Sequence, residues 1–290
     1  MLALALAACS AQTLEEAGID CDPIAYQLEN EVWVLTAGAK TRLSESGYLG
    51  FNPALSSDGN RVAFTSGEQG GGDLDLYVIN SDGSNRQLIW KGDQLIQSSV
   101  AWSPDHTTLV FDQYSEQNRI DVPLQVFTIP SDGSEQPLQL TEGEPNGKPK
   151  WGPDDRIVFL SLRDASEQEI ENSEAQEIYS MRSDGSDPVN LTHNPARDVL
   201  AETSPDGSTI VFASDRSGNG DFDIWTMNTD GSNPLQLTDH AERETNPTWS
   251  SDGKHILYRS DRTPAGLWYM NPDGSDQTPL INDVWLASCS

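Results

Sequence analysis

Residues 204–238 read SPDGSTIVFASDRSGNGDFDIWTMNTDGSNPLQLT, and this stretch decides the fold because its pattern recurs along the chain. It opens with Ser204-Pro205-Asp206-Gly207, a turn sequence in which Gly readily adopts a left-handed backbone. A short apolar run that ends in an aromatic, Ile210-Val211-Phe212, follows the turn. A second run, Ile224-Trp225, leads into another Asp-Gly turn and a closing Leu237-Thr238. The stretch therefore predicts three short β-strands joined by turns.

The repeat is regular enough to give a period. The Asp of the opening turn recurs with spacings of 47, 49, 52 and 46 residues, at Asp58, Asp105, Asp154, Asp206 and Asp252. The aromatic of the second run occurs six times, at Trp33, Tyr77, Phe127, Tyr179, Trp225 and Trp268. With one more strand before each opening turn, this is a unit of four short strands, which is typical of a β-propeller blade. We name its strands a to d, from the central axis outward.

The two ends of the chain are expected to share one blade. Strands b, c and d occur six times, but strand a with its Asp turn occurs only five times. Residues 283–288 have the composition of a strand and supply the missing strand a beside Ile24-Ala25-Tyr26. The sequence thus predicts an all-β fold: a six-bladed β-propeller of four-stranded antiparallel blades, closed by its N- and C-terminal strands. Cys289 would end strand a and Cys21 would precede strand b, so we expect a disulfide between them.

The charge balance excludes some classes of partner. Lys and Arg number 17 against 46 Asp and Glu, giving a formal net charge of −29. Nucleic acids and anionic lipids bind clustered cations, so we expect neither as a partner. A protein with cationic patches would be attracted instead, because complementary charge speeds encounter.

The N-terminus predicts export. Residues 1–9 form a short apolar stretch, and its end, Leu6-Ala7-Ala8-Cys9, resembles a bacterial lipobox, which implies a lipidated Cys9. An ordinary cleaved signal and a plain apolar tip are the alternatives. Residues 10–20 would be a linker, and residues 21–290 the propeller. We expect a periplasmic protein of the cell envelope that contacts the outer membrane only through its lipid.

The repeat also resembles a known family. The consensus of the copies is a Trp-Ser-Pro-Asp-Gly turn, an apolar-apolar-aromatic strand, an Ile-Trp-x-Met-x-x-Asp-Gly segment and Leu-Thr. This consensus resembles the WD-repeat-like propeller repeat of the TolB family. The resemblance spans residues 21–290 and implies a relative that consists of the propeller alone, because TolB carries an α/β domain before its propeller. It also implies that a partner protein is received at the mouth of the central channel.

The candidate binding residues follow from this location. The loops from strand d to the next strand a are variable and lie toward the channel, which is where binding sites usually occur. We expect a non-catalytic, monomeric protein-binding scaffold whose partner is captured by these loops. The residues predicted to contact the partner are Tyr48, Phe51, Asn52, Ser99, Lys148, Asp198, Glu244 and Asn246. For each of them the alternative is an ordinary solvated loop side chain.

Catalytic and metal motifs give little support to other functions. The chain has no Gly-x-Ser-x-Gly, no His-Glu-x-x-His and no phosphate-binding Gly-rich loop, so we predict neither an enzyme nor a cofactor. Four oxygen-bearing residues, Asp215, Asn219, Asp221 and Asp223, alternate as in a Ca²⁺ loop, but we favour a hairpin turn rich in Asp and Gly as their explanation. The alternative functions are a metal-dependent carbohydrate-active enzyme or glycan-binding propeller, and a purely structural surface protein.

Overall fold

The structure, a computed structural model, consists of short β-strands connected by turns and loops. It describes residues 18, 23–36, 39–69, 74–91, 96–114, 124–166, 168, 176–218, 220–282 and 287–289. None of these segments forms a helix with the length and hydrophobicity that a membrane crossing requires.

The strands are arranged in six antiparallel sheets of four, one sheet per blade. The innermost strands, a, are β4 (Tyr48–Leu55), β8 (Ile96–Trp102), β12 (Asn146–Trp151), β16 (Asp198–Thr203), β20 (Glu244–Trp249) and β24 (Ala287–Cys289). The second strands, b, are β5 (Arg61–Glu68), β9 (Thr108–Tyr114), β13 (Arg156–Ser161), β17 (Thr209–Ser214), β21 (Ile256–Ser260) and β1 (Ile24–Leu28).

The two outer strands complete each blade in the same order. The third strands, c, are β6 (Asp75–Asn80), β10 (Leu124–Pro130), β14 (Glu177–Arg182), β18 (Asp223–Asn228), β22 (Gly266–Met270) and β2 (Glu31–Thr36). The outermost strands, d, are β7 (Gln87–Trp90), β11 (Leu138–Gln139), β15 (Val189–Asn190), β19 (Leu235–Gln236), β23 (Thr278–Asn282) and β3 (Ala39–Arg42). We number the blades 1 to 6 in the order of these lists.

Blade 6 closes the ring with both ends of the chain. Its sheet has the order β24-β1-β2-β3, so the C-terminal strand pairs with the N-terminal one. The register places Cys289 opposite Ile24. Each innermost strand also contacts the innermost strands of its two neighbours, including β20 with β24 and β24 with β4. The predicted six-bladed propeller and its closure by shared strands are confirmed.

The hydrophobic core lies between the blades. The described residues form six hydrophobic clusters, and each cluster joins two neighbouring blades. The aromatic of strand b is buried in every blade, at Tyr26, Phe64, Phe111, Phe159, Phe212 and Tyr258. Burying one such side chain stabilises a fold by roughly 1.5–3 kcal/mol. On strand a, Trp102 is buried and donates its indole N–H to the carbonyl of Ala54 in blade 1 at 2.9 Å, so it packs between blades 1 and 2.

The Asp turns adopt the backbone that the repeat predicts. Gly59, Gly207 and Gly253 have φ values of 71°, 73° and 68°, in the left-handed region. His106 and Asp155 stand at the same position of blades 2 and 3, and each has a φ of 60°. In four blades the serine before the turn donates its hydroxyl to the Asp carboxylate, as Ser204 does to Asp206 at 2.6 Å. These hydrogen bonds fix the turn locally in blades 1, 2, 4 and 5, including blade 2, where His106 replaces Gly. Blade 3 has Gly152 in place of the serine, and there the Trp151 indole N–H donates to Asp155 at 3.0 Å.

Candidate functional site

Antiparallel blades give the molecule two different faces. The a–b and c–d turns lie on one, which we call the turn face. The b–c loops and the d–a loops lie on the other, the loop face. The innermost strands run from the loop face to the turn face and surround the central channel, because each contacts its two neighbours around the ring.

The structure corrects the predicted position of the partner-binding residues. We expected them in the d–a loops, but all eight lie within innermost strands: Tyr48, Phe51 and Asn52 in β4, Ser99 in β8, Lys148 in β12, Asp198 in β16, and Glu244 and Asn246 in β20. The reason is a break in the register of the a–b pair in each of blades 1–5, such as the one between Phe51 and Ala54. The ladder resumes beyond this bulge, so strand a is longer than its apolar segment indicates.

Four of the predicted residues occupy one repeat position at this bulge. The bulge position is the third residue before the end of the innermost strand in blades 1–5, and it holds Asn52, Ser99, Lys148, Leu200 and Asn246. All five side chains are partly exposed. Four of the five have left-handed φ values, of 52° at Asn52, 53° at Lys148, 58° at Leu200 and 52° at Asn246. Leu200 was not among the residues predicted from the sequence. A Pro follows the bulge residue in blades 1, 3 and 5 and could have marked the repeat position, and alignment of the repeats then places Leu200 there.

A buried carboxylate supports the bulge between blades 2 and 3. Asp112, in β9, is fully buried and accepts the backbone N–H of Ser99 at 3.0 Å and of Lys148 at 2.8 Å. Burial raises the pKa of Asp112 to about 6, against the opposing effects of Lys148 and of these hydrogen bonds. Gln27 has the corresponding role between blades 6 and 1, where its side-chain oxygen accepts the N–H of Asn52 at 3.4 Å. Side chains of one blade therefore hold the channel-lining backbone of the next.

Asp198 and Glu244 are not placed to contact a partner. Both side chains are fully buried. The Asp198 carboxylate lies 2.8 Å from the Arg216 guanidinium, and the Glu244 carboxylate lies 2.7 Å from that of Arg262. Burial raises the pKa of Glu244 above its ordinary value, and the neighbouring Arg262 offsets part of this rise. We therefore assign these two residues to the internal structure, as a correction to the prediction.

The arginines belong to a repeated element that sequence reasoning missed. The pattern Ser-x-Arg ends strand b in three successive blades, at Ser161-Leu162-Arg163, Ser214-Asp215-Arg216 and Ser260-Asp261-Arg262. Each arginine donates Nε–H to its serine at 3.0 Å. Each guanidinium also lies over the aromatic ring of strand c, at 4.6 Å from Tyr179, 5.0 Å from Trp225 and 4.1 Å from Trp268. The arginines thus connect the b–c loop to strands a and c.

The candidate Ca²⁺ residues have other partners. Asp215 accepts the Arg197 backbone N–H at 2.8 Å and its Nε–H at 2.7 Å, and Asp223 is buried and accepts the Gln236 amide at 3.0 Å. Asp221 is half-buried, and Asn219 lies outside the described residues. Within the part of the chain that the structure describes, no three His, Cys, Asp or Glu side chains are grouped so as to hold a metal ion.

The predicted cysteine modifications are only partly covered. Cys9 and Cys21 lie outside the described residues. Cys289 is described through its main chain, in β24. The lipid anchor and the disulfide therefore stay predictions.

Comparison with known proteins supports the fold. No family model matches the chain. A protein assigned as TolB from Agrobacterium tumefaciens superposes with a TM-score of 0.69 at 21% identity, over 91% of this chain and 89% of that one. TolB from Acinetobacter baumannii gives a TM-score of 0.73 at 19% identity, over 96% of this chain and 69% of that one. The protein is thus similar in fold to TolB propellers, as its repeat predicts.

The same fold also occurs in an enzyme. Oligogalacturonate lyase in complex with manganese superposes with a TM-score of 0.61 at 16% identity, over 89% of this chain and 76% of that one. At these identities the likeness concerns the fold alone, and function has to be argued from the site.

Proposed function

We propose that this protein is a non-catalytic scaffold of the bacterial cell envelope that binds a segment of another protein at the loop-face mouth of its channel. The observation that carries the proposal is the set of bulge positions. Five blades present Asn, Ser, Lys, Leu and Asn at one structurally equivalent, partly exposed place on the channel wall. Packing positions of the same blades repeat one class of residue, as the buried Phe and Tyr side chains of strand b do. Variation at a fixed position is expected where side chains serve recognition rather than packing.

The chemistry of these positions suits a peptide. Amide, hydroxyl and ammonium groups can donate hydrogen bonds to backbone carbonyls, and Leu200 adds an apolar contact. Four of the positions have a left-handed backbone, and at Lys148 this backbone is fixed by the hydrogen bond to Asp112. A site that is already ordered loses little conformational entropy when the peptide binds. The resemblance of the repeat to TolB, now supported at the level of the fold, favours the same end of the channel.

The proposed location follows from the N-terminus. Lipidation at Cys9 would anchor a monomer to the outer membrane, with residues 10–20 as a tether and the propeller in the periplasm. Fractionation of cells that express the wild type and Cys9→Ser tests this. We expect the wild type with outer membranes and the variant in the soluble periplasmic fraction; the same distribution for both would contradict the anchor.

The binding role is tested by a pull-down with matched variants. A soluble form starting at Ser10 is compared with Asn52→Gly/Lys148→Gly/Asn246→Gly, which removes three bulge side chains but keeps a residue suited to left-handed φ. The control is Asn85→Gly/Asn233→Gly/Asp276→Gly, at left-handed positions in the c–d turns of the turn face. We expect one envelope protein to be recovered by the wild type and the control and lost with the bulge variant. Equal recovery by all three forms, or none by any, would overturn the proposal.

An enzymatic or glycan-binding role is the second candidate, and the fold shared with oligogalacturonate lyase is the observation that favours it. Metal analysis of the purified protein and a glycan screen address it. Bound Mn²⁺ or Ca²⁺ that is lost with chelator and required for turnover of a polysaccharide would replace the scaffold proposal.

A further inference from the structure

Two arginines at the loop-face ends of neighbouring innermost strands occupy equivalent places in their blades. Arg197 precedes β16 and Arg243 precedes β20, each six residues before the end of its innermost strand. Their backbone carbonyls make the same hydrogen bond, accepting the N–H of Asp215 at 3.3 Å and of Asp261 at 3.0 Å. Both guanidinium groups lie against the ring of Phe222, at 4.8 Å and 5.3 Å from its centre. Their surroundings can therefore be compared residue by residue.

In blade 4 the arginine binds a carboxylate of its own chain. Asp215 accepts both the backbone N–H of Arg197, at 2.8 Å, and its Nε–H, at 2.7 Å. The Asp215 side chain is only 17% exposed to solvent. Two parallel donors from one residue, one of them charged, form a strong and directional carboxylate site.

In blade 5 the equivalent carboxylate is used elsewhere. Asp261 pairs with Arg259 of β21, a residue whose counterpart in blade 4 is Ala213. Arg243 is exposed, and among the described residues no carboxylate lies within ion-pair distance of its guanidinium and no acceptor bonds to its backbone N–H. An unpaired arginine is unexpected in a chain with 46 acidic and 17 basic residues. Blade 5 has Arg259 where blade 4 has the small Ala213, and because Asp261 pairs with Arg259, the donors of Arg243 are available.

We propose that Arg243 binds an acidic side chain of the partner protein, which occupies in blade 5 the place that Asp215 occupies in blade 4. The inference rests on the proposed function and specifies its chemistry. The partner segment carries a Glu or Asp that accepts from the backbone N–H and the guanidinium of Arg243. The ring of Phe222, in the b–c loop of blade 4, lies against this guanidinium as it does against that of Arg197. The net charge of −29 predicts a cationic partner overall, so this carboxylate determines the register of the segment rather than its long-range attraction.

Direct binding to short peptides tests the inference. The probe is a fluorescent peptide in which Glu alternates with Ser, and the matched peptides carry Gln or Lys in place of Glu. Anisotropy is measured at about 0.15 M salt, where the Debye length is about 8 Å and the repulsion by distant acidic groups is largely screened. We expect the Glu peptide to bind the wild type and to lose about tenfold in affinity with Arg243→Gln. Arg182→Gln, an exposed arginine at the end of β14 on the turn face, is the matched control and should bind as the wild type does.

A second variant tests the comparison between the blades. Arg259→Ala restores the residue found in blade 4 and releases Asp261, which should then pair with Arg243 as Asp215 pairs with Arg197. We expect this variant to lose the Glu peptide although Arg243 is intact. Arg259→Ala/Asp261→Asn removes the carboxylate that competes with the peptide for Arg243, so binding of the Glu peptide should return. This recovery would show that the loss in Arg259→Ala is not caused by misfolding. Unchanged binding in Arg259→Ala, or no recovery in the double variant, would overturn the inference.

The remaining outcomes separate this inference from the proposed function. Equal affinity for the Gln or Lys peptide would overturn the carboxylate site. Binding of oligogalacturonate but not of the Glu peptide, with loss in Arg243→Gln, would assign Arg243 to an acidic glycan and overturn the peptide. Recovery of an envelope protein by Arg243→Gln as well as by the wild type would leave the scaffold standing without this contact. Peptide binding without any envelope partner would instead overturn the scaffold.

Discussion

Gly231 shows at the scale of one residue why the second Asp-Gly turn of the repeat is needed. Its φ is 82°, and a Cβ there would collide with the carbonyl oxygen of Leu191 in the preceding blade. The same approach occurs at Gly133, Gly185 and Gly274, where a Cβ would lie 3.1, 2.9 and 2.8 Å from the facing carbonyl oxygen. Glycine therefore serves both the turn and the contact between blades.

Replacing Gly231 tests this double requirement. Gly218, in a b–c loop, has a φ of 79°, but no atom lies within 4 Å of the place that a Cβ would occupy, so Gly218→Ala carries the backbone strain alone. We expect Gly231→Ala to lower the free energy of unfolding by about 1–3 kcal/mol more than Gly218→Ala, the usual range for overpacking. Urea unfolding followed by tryptophan fluorescence measures both. An equal loss of unfolding free energy in the two variants would show that the contact between Gly231 and Leu191 yields without cost, which would contradict the double requirement.

Asp112 makes stability depend on pH in an unusual direction. Burial raises the pKa of Asp112 to about 6, above its unfolded value of 3.8. Between these values the folded state holds a proton that the unfolded state has released, so the contribution of Asp112 to stability falls as pH rises from 4 to 6 and is constant above that. We expect the stability difference between wild type and Asp112→Asn to change by roughly 2–3 kcal/mol over this window. Urea titrations at pH 4.5 and 7 measure it, and a constant difference would contradict the raised pKa.

At the scale of the element, the Ser-x-Arg segments connect three of the b–c loops to the innermost strands. Three blades carry the same arginine geometry, but the group that it meets in strand a differs. Arg216 and Arg262 meet the buried carboxylates of Asp198 and Glu244, whereas Arg163 meets the neutral amide oxygen of Asn146 at 3.1 Å. The chain therefore contains its own comparison of a charged with a neutral partner.

Arg216→Met and Arg163→Met form a matched pair. Loss of Arg216 leaves the fully buried Asp198 carboxylate without its ion pair, which costs about 3–5 kcal/mol. Loss of Arg163 leaves a neutral amide, with an expected cost of about 1–3 kcal/mol. Thermal and urea unfolding measure both, and Asp198→Asn in the Arg216→Met background should recover part of the loss. Equal costs for the two variants would contradict a role for the charge.

The strands could be predicted from the sequence, and the site only in part. The Asp turns and the paired aromatics recur at a fixed spacing, so strand type and blade number follow from counting. The positions of the bulges could not be predicted in this way, because a register break depends on how two strands pair. The one sign of the bulges in the sequence is the Pro that follows Asn52, Lys148 and Asn246. The burial of Asp198 could not be predicted either, since its arginine lies 18 residues away in sequence.

At the scale of the whole molecule, stability depends on six similar interfaces arranged in a ring. Each hydrophobic cluster joins two blades, so separating any one pair exposes a core that no other part of the fold covers. Five blades are continuous in sequence, whereas in blade 6 the described residues join the C-terminal strand β24 to the rest of the sheet by its pairing with β1. This pairing is short, extending from Ile24 opposite Cys289 to Tyr26 opposite Ala287. The junction of the two chain ends is therefore the place where the ring is expected to open first.

A disulfide between Cys21 and Cys289 would secure this junction. Cys289 pairs with Ile24 in the main chain, and Cys21 precedes Ile24 by three residues in sequence. Because the closed loop would contain nearly the whole chain, the chain-entropy model gives a stabilisation of about 4–5 kcal/mol. The soluble form that starts at Ser10 lacks Cys9, so mass spectrometry after alkylation without reductant counts these two thiols alone. We expect no alkylation, a melting temperature lowered by reductant, and a Cys289→Ser variant that melts like the reduced wild type with or without reductant. Two alkylated thiols in the oxidised protein would contradict the bridge, and the three residue pairs of β1 and β24 would then hold the ring closed without it.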